Sequence, residues 1–212
     1  STTYTATVTG GTTGVKDLAG NALVADVTWS FTTAGATVTT AFQAPTANAP
    51  VTASAGDNNG FQTSPTNAYA SDGLFAVDTN SGTNANTSCT NSGKDKHLYY
   101  GVNFALPAGA TIRGVEVRLD AKVDSTAASP TLCVQVSRDG GVTWSTAKRT
   151  STLTTATAAY VLGGPSDVWG LSWAAADFVG TRFRVRVIST ASSTARDFSL
   201  DRLAARVTYQ AP

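Results

Sequence analysis

An all-β fold, an antiparallel jelly-roll-like sandwich preceded by a short β segment, is what three features of the sequence predict. β-branched and small polar residues crowd out helix formers. Apolar residues recur at every second position in stretch after stretch. Clusters of Gly, Asn, Asp and Ser separate those stretches, as turns do. A chain of 212 residues is one large β domain or one domain plus a fragment. At that length roughly 70% of the unfolded surface is buried, enough for a true core.

The elements follow in order. "TYTATVT" alternates, with Tyr4, Ala6 and Val8 on one face and threonines on the other. "KDLAGNALVADVTWSFTT" opens on a turn and closes on a strand through Val27, Trp29 and Phe31. Residues 36–50 read as a linker or crossover strand. Residues 53–96 are rich in Asn, Asp, Gly and Ser and predict a long loop, a feature that in compact domains is functional or held by a cross-link or metal. "HLYYGVNF" alternates with Leu98, Tyr100, Val102 and Phe104 inward. "RGVEVRLDAKV" turns Val115, Val117, Leu119, Ala121 and Val123 inward, with Glu116, Arg118, Asp120 and Lys122 outward. "TLCVQVS" is followed by the turn "RDGG" and by "VTWS". "RFRVRVIS" turns Phe183, Val185 and Val187 inward and Arg182, Arg184 and Arg186 outward, where pairing with acids such as Glu116 and Asp120 is expected. "DRLAARVTY" closes the chain with Leu203, Ala205, Val207 and Tyr209 inward. A short turn near "WAAADFVG" is the one helical candidate. Strands with one wet and one dry face pack as a sandwich.

Three resemblances accompany these patterns. Residues 1–34, through Val15, Asp17, Gly20, Asn21, Leu23, Trp29 and Phe31, are similar to the closing half of the bacterial Ig-like domains of surface-layer proteins and adhesins. Residues 50–212, through "NFALPAGATIRGVEVRL", "LGGPSDVWGLSW" and "FRVRVISTASSTARDFSLDRLAARVTY", resemble a β-sandwich module of secreted bacterial and phage-associated proteins. The last strand also resembles the closing strand of carbohydrate-binding jelly rolls, where an Asp often ligates a structural calcium. That resemblance implies a calcium site at Asp201, with Asp57, Asn58, Asp72 and Asp78 as partners. "SRDGGVTW" resembles an Asp box through Ser137, Asp139, Gly141, Thr143 and Trp144, and implies a stabilised hairpin in which Asp139 binds turn amides.

The composition narrows the chemistry. Fifteen bases against fourteen acids give a formal charge of +1, no field to draw nucleic acid. No apolar run nears the roughly 20 residues of a membrane span. Thirteen of the acids are Asp and only Glu116 is Glu; Asp suits turns and oxygen-ligand metal sites. One histidine, His97, and two distant cysteines do not make a histidine-based zinc site. His97 is read as a solvated strand end rather than a triad member. The aspartates sit in turn contexts, so a carboxylate pair for glycoside hydrolysis is not expected either. No enzyme is expected.

Cys89 and Cys133, 44 residues apart, are expected to pair, since the composition reads as extracellular. Trp169 and Trp173 are candidates for stacking on sugar rings, against a core role. The sequence holds no Met, which reads as a processed or excised piece. Tyr4, Val8, Val27, Trp29 and Phe31 form an apolar face that needs a cover, either the chain's own sandwich or a neighbouring copy. The functional expectation is an extracellular structural protein, a surface filament or adhesin subunit joined by strand addition between copies. The alternative is a carbohydrate-binding module of a larger secreted protein.

Overall fold

The computed structural model describes residues 1–52, 56 and 60–212, and almost every regular element is a strand. β1 (Thr3–Val8) and β2 (Val27–Thr32) form an antiparallel hairpin. β3 (Thr37–Thr39) and β4 (Ala47–Pro50) follow, then β5 (Ala76–Asp78) and β6 (Lys96–Tyr100). β7 (Thr111–Val123), β8 (Thr131–Ser137) and β9 (Lys148–Arg149) lead to β10 (Ala158–Gly163), β11 (Arg184–Thr190) and β12 (Phe198–Gln210). Pro65–Ala68 and Ala175–Phe178 are single 3-10 turns, the second where a helical turn is expected.

Two antiparallel five-stranded sheets form the sandwich. The first runs β10-β7-β12, with β3 and β5 both pairing with β12. The second runs β4-β6-β11-β8-β9. Residues 36–50 therefore supply a strand to each sheet, a crossover rather than a free linker. Their inner faces meet in one core: Val117, Leu119, Leu203 and Val207 from the first sheet, Val134 and Val185 from the second. Burial of such side chains is worth about 1.5–3 kcal/mol each and dominates folding.

The alternation in β12 changes phase. Phe198 and Leu200 are buried, and so are Leu203, Ala205 and Val207. A strict period of two cannot bury both sets. The ladder to β7 skips Asp201, a β-bulge between Leu200 and Arg202 that restores the inward phase.

In β6 the phase is the reverse of the sequence expectation. Tyr99 and His97 are buried, whereas Leu98 and Tyr100 lie on the outer face, only partly covered. Gly101, at φ +76°, ends the strand and resets the phase, so Val102 and Phe104 still reach the core.

The hairpin stands apart from the sandwich. Its register places Tyr4 opposite Phe31, Ala6 opposite Trp29 and Val8 opposite Val27, all on one face. Thr3 and Thr32, and Thr7 and Thr28, pair their hydroxyls on the other. It joins the rest where the Ala211 N–H donates to the Ala36 carbonyl at 2.9 Å.

Candidate functional site

The hairpin face is the first candidate. Tyr4, Val27, Trp29 and Phe31 are 51, 50, 50 and 52% exposed. The alternative in which the chain's own sandwich covers them is therefore not what the structure has. Tyr4 and Phe31 stack at 5.6 Å, so part of the apolar surface is covered within the hairpin. The β1–β2 connection is ordered by carboxylates. Asp17 accepts the N–H groups of Ala19 and Asn21 and the Asn21 side-chain amide, and these bonds hold its pKa below the usual value.

The expected disulfide is present between Cys89 and Cys133, with Cα atoms 5.7 Å apart. It ties the long loop to β8. Closing 44 residues stabilises by about 4 kcal/mol in the chain-entropy account.

The aspartates proposed for calcium divide. Asp57 and Asn58 lie outside the described residues. Asp201, set at the bulge, accepts the Ser71 hydroxyl and the N–H groups of Asp72 and Gly73. Asp72 turns back to accept the Leu74 N–H. Asp78 is buried at the end of β5. Among the described residues no three His, Cys, Asp or Glu side chains converge as metal ligands. Calcium takes six to eight oxygens; Asp201 accepts three loop donors and Asp72 one.

Of the tryptophans proposed for sugar stacking, Trp169 is corrected by its burial, whereas Trp173 stays partly exposed. Trp169 is 3% exposed and its Nε1 donates to the Val115 carbonyl at 2.8 Å. Trp173 is half-buried, stacks on Phe178 at 4.9 Å, and donates from Nε1 to the Val168 carbonyl. His97 is also corrected. It is 2% exposed, its Nε2 is 2.9 Å from Asn48 Oδ1, and its ring packs against Phe61 and Tyr99. The covering strand β4 supplies Asn48 and takes the position out of solvent.

The Asp-box hairpin forms as expected. Asp139 accepts the N–H groups of Val142 and Thr143 and the hydroxyls of Thr143 and Ser137. Those donors hold its carboxyl far below the usual range.

The second candidate is one that alternation did not find. Arg184 and Arg186 do not pair with Glu116 and Asp120, which lie on the other sheet and bind Arg206 and Arg118. Instead the Arg184 guanidinium lies 4.8 Å over Tyr100 and that of Arg186 4.2 Å over Trp144. Arg186 also donates from Nε and Nη2 to Gln135 Oε1 at 3.1 and 2.6 Å. Burial lowers the pKa of Arg186. Burial first, and then the nearby Arg186 charge, lower that of Lys96. The signal was hidden by the inverted phase of β6: with Tyr100 assigned to the core, no aromatic stood beside the arginines.

Residues 1–33 match a family described as bacterial Ig-like domain. No curated protein matches the chain. Among solved structures, the chain is similar to the CBM22-1–GH10 modules of Clostridium thermocellum endo-1,4-β-D-xylanase 10B complexed with xylohexaose. The identity is 11% and the TM-score 0.29, over 63% of this chain and 24% of that one. A likeness of that extent says nothing about what this chain binds. The molecule is thus an all-β, disulfide-bonded sandwich preceded by a hairpin that matches a bacterial Ig-like domain.

Proposed function

We propose that this chain is a non-enzymatic extracellular structural protein, a subunit of a bacterial surface filament or adhesin whose copies join through residues 1–33. The observation that supports this reading is the half-exposed face of Tyr4, Val27, Trp29 and Phe31. Covering the rest of those side chains yields roughly 1 kcal/mol each, about half of full burial. Strand pairing along the hairpin edge adds main-chain hydrogen bonds. A joint between the hairpin of one copy and a different surface of the next does not close on itself and propagates. The disulfide and the Ig-like match support an extracellular setting.

Sedimentation of the intact chain over a wide concentration range tests the joint. Self-association is expected, and Trp29→Glu with Phe31→Glu should abolish it. A monomer at every concentration would leave the face to another Ig-like sheet and end the filament reading. Calcium belongs to this reading as a stabilising ion bound by Asp201 and one or more of Asp57, Asp72 and Asp78. Calcium should raise the melting midpoint over that in chelator, and equal midpoints would leave Asp201 with loop amides alone.

Carbohydrate binding is a second reading, favoured by the aromatic and arginine side chains on the outer face of the second sheet.

A further inference from the structure

We infer that the outer face of the second sheet binds an acidic polysaccharide, with Tyr100 and Arg184 at its centre and Arg186 continuing it. This deepens the carbohydrate-binding reading and rests on it. β11 sets the two arginines on one face, two residues apart and so roughly 7 Å along the strand. Cross-strand pairing puts Arg184 opposite Tyr100 and Arg186 opposite Gln135.

Two features taken together, no carboxylate partner and a guanidinium lying over an aromatic ring, separate these arginines from the others. Arg118, Arg182, Arg196 and Arg206 each hold a carboxylate. Among the described residues Arg184 and Arg186 hold none. The acid of the neighbouring turn, Asp139, spends its oxygens on Ser137, Val142 and Thr143. Both guanidiniums are also fixed. Arg184 donates Nε to the Thr181 carbonyl at 3.1 Å, and its guanidinium carbon is 4.8 Å from the Tyr100 ring centre. Arg186 is held by Gln135 and Trp144. A guanidinium has five N–H donors. These contacts use one on Arg184 and two on Arg186, leaving donors already oriented for a carboxylate.

An open groove of about 550 Å³ lies beside Tyr100, lined also by Thr46, Asn103, Val179 and Thr181 among others. It combines an aromatic wall with hydroxyl and amide groups, and Arg184, outside its lining, reaches it through Tyr100 and the Thr181 carbonyl. A sugar acid presents the complementary set: an apolar ring face, hydroxyls and a carboxylate. Nucleic acid fits less well, because its affinity comes from many phosphate contacts and the chain carries a formal charge of only +1.

Calorimetric titration of the full chain with polygalacturonate, neutral β-1,4-xylan and poly-L-glutamate tests this. Polygalacturonate should bind, and xylan and poly-L-glutamate should not. Arg184→Gln should weaken binding at least tenfold, and Arg184→Lys should fall between, since it keeps the charge and loses the fork. Val179→Asp, at an exposed groove position, should abolish binding without touching the core. It keeps the test decisive if the arginine variants fold poorly. Binding of xylan with no effect of these variants would overturn the inference and leave the carbohydrate reading standing. No binding of either polysaccharide would end both. Equal binding of poly-L-glutamate would reassign the face to acidic peptide.

Discussion

The hairpin β1–β2 and the ladder β7–β12 are built from the same kind of sequence and meet opposite fates. Each alternates apolar and polar residues, and each pairs antiparallel with its apolar residues on one face. In the ladder that face is sealed by the second sheet, and Leu119 and Leu203 have no exposed surface. In the hairpin the same kind of face stays half open at Trp29 and Phe31. Alternation thus specifies which side of a strand wants cover. What supplies the cover is decided by connections far away in the chain.

Substitution breaks the comparison most directly. Leu203→Ala removes buried methyl groups beneath a complete sheet and should cost about 2–5 kcal/mol in denaturant unfolding. Trp29→Ala should leave that transition within about 0.5 kcal/mol of the parent in a monomeric sample, because its ring has little to lose there. A large loss for Trp29→Ala under those conditions would mean that the hairpin and sandwich unfold as one unit.

Acid sharpens the comparison with a smaller effect. Asp17 in the hairpin and Asp139 in the sandwich are both depressed in pKa, each first by a side-chain hydrogen bond, from Asn21 and Thr143 respectively. A depressed carboxyl contributes stability above its unfolded value, ordinarily 3.8. That contribution is lost as pH falls through the lower folded value. Asp139→Asn should therefore lower the melting midpoint at neutral pH, and the two proteins should converge as pH falls below the ordinary aspartate value. Asp17→Asn should not move the sandwich transition at any pH; a shift there would couple the two regions.

The sequence was most legible where one period runs unbroken. The inward residues of β7 and β11 and the hairpin faces follow from spacing, while the Asp-box turn follows from a resemblance and the disulfide pair from the composition. It was least legible where a single backbone irregularity changes the phase. Gly101 inverts the reading of β6 and hides the placing of Tyr100 beside Arg184. The bulge at Asp201 turns that carboxylate toward the turn at Ser71–Gly73, a contact that local pattern does not show. Trp169 misled for another reason. An indole in a Gly-rich segment looks like a loop platform, yet Trp169 turns inward because its N–H finds the Val115 carbonyl. Partners contributed by residues distant in sequence do not show in local pattern.

The Cys89–Cys133 bond has a mechanical consequence. Under tension applied through the two ends of the chain, the 44-residue span between these cysteines cannot lengthen. At about 3.4 Å per extended residue, roughly 150 Å of contour is withheld from stretching. The withheld span contains β6 and β7, central strands of the two sheets. A pulled molecule can shed its hairpin and its outer strands, yet part of each sheet stays inside a covalent loop through which no force passes. On release, refolding would begin from that tethered remnant.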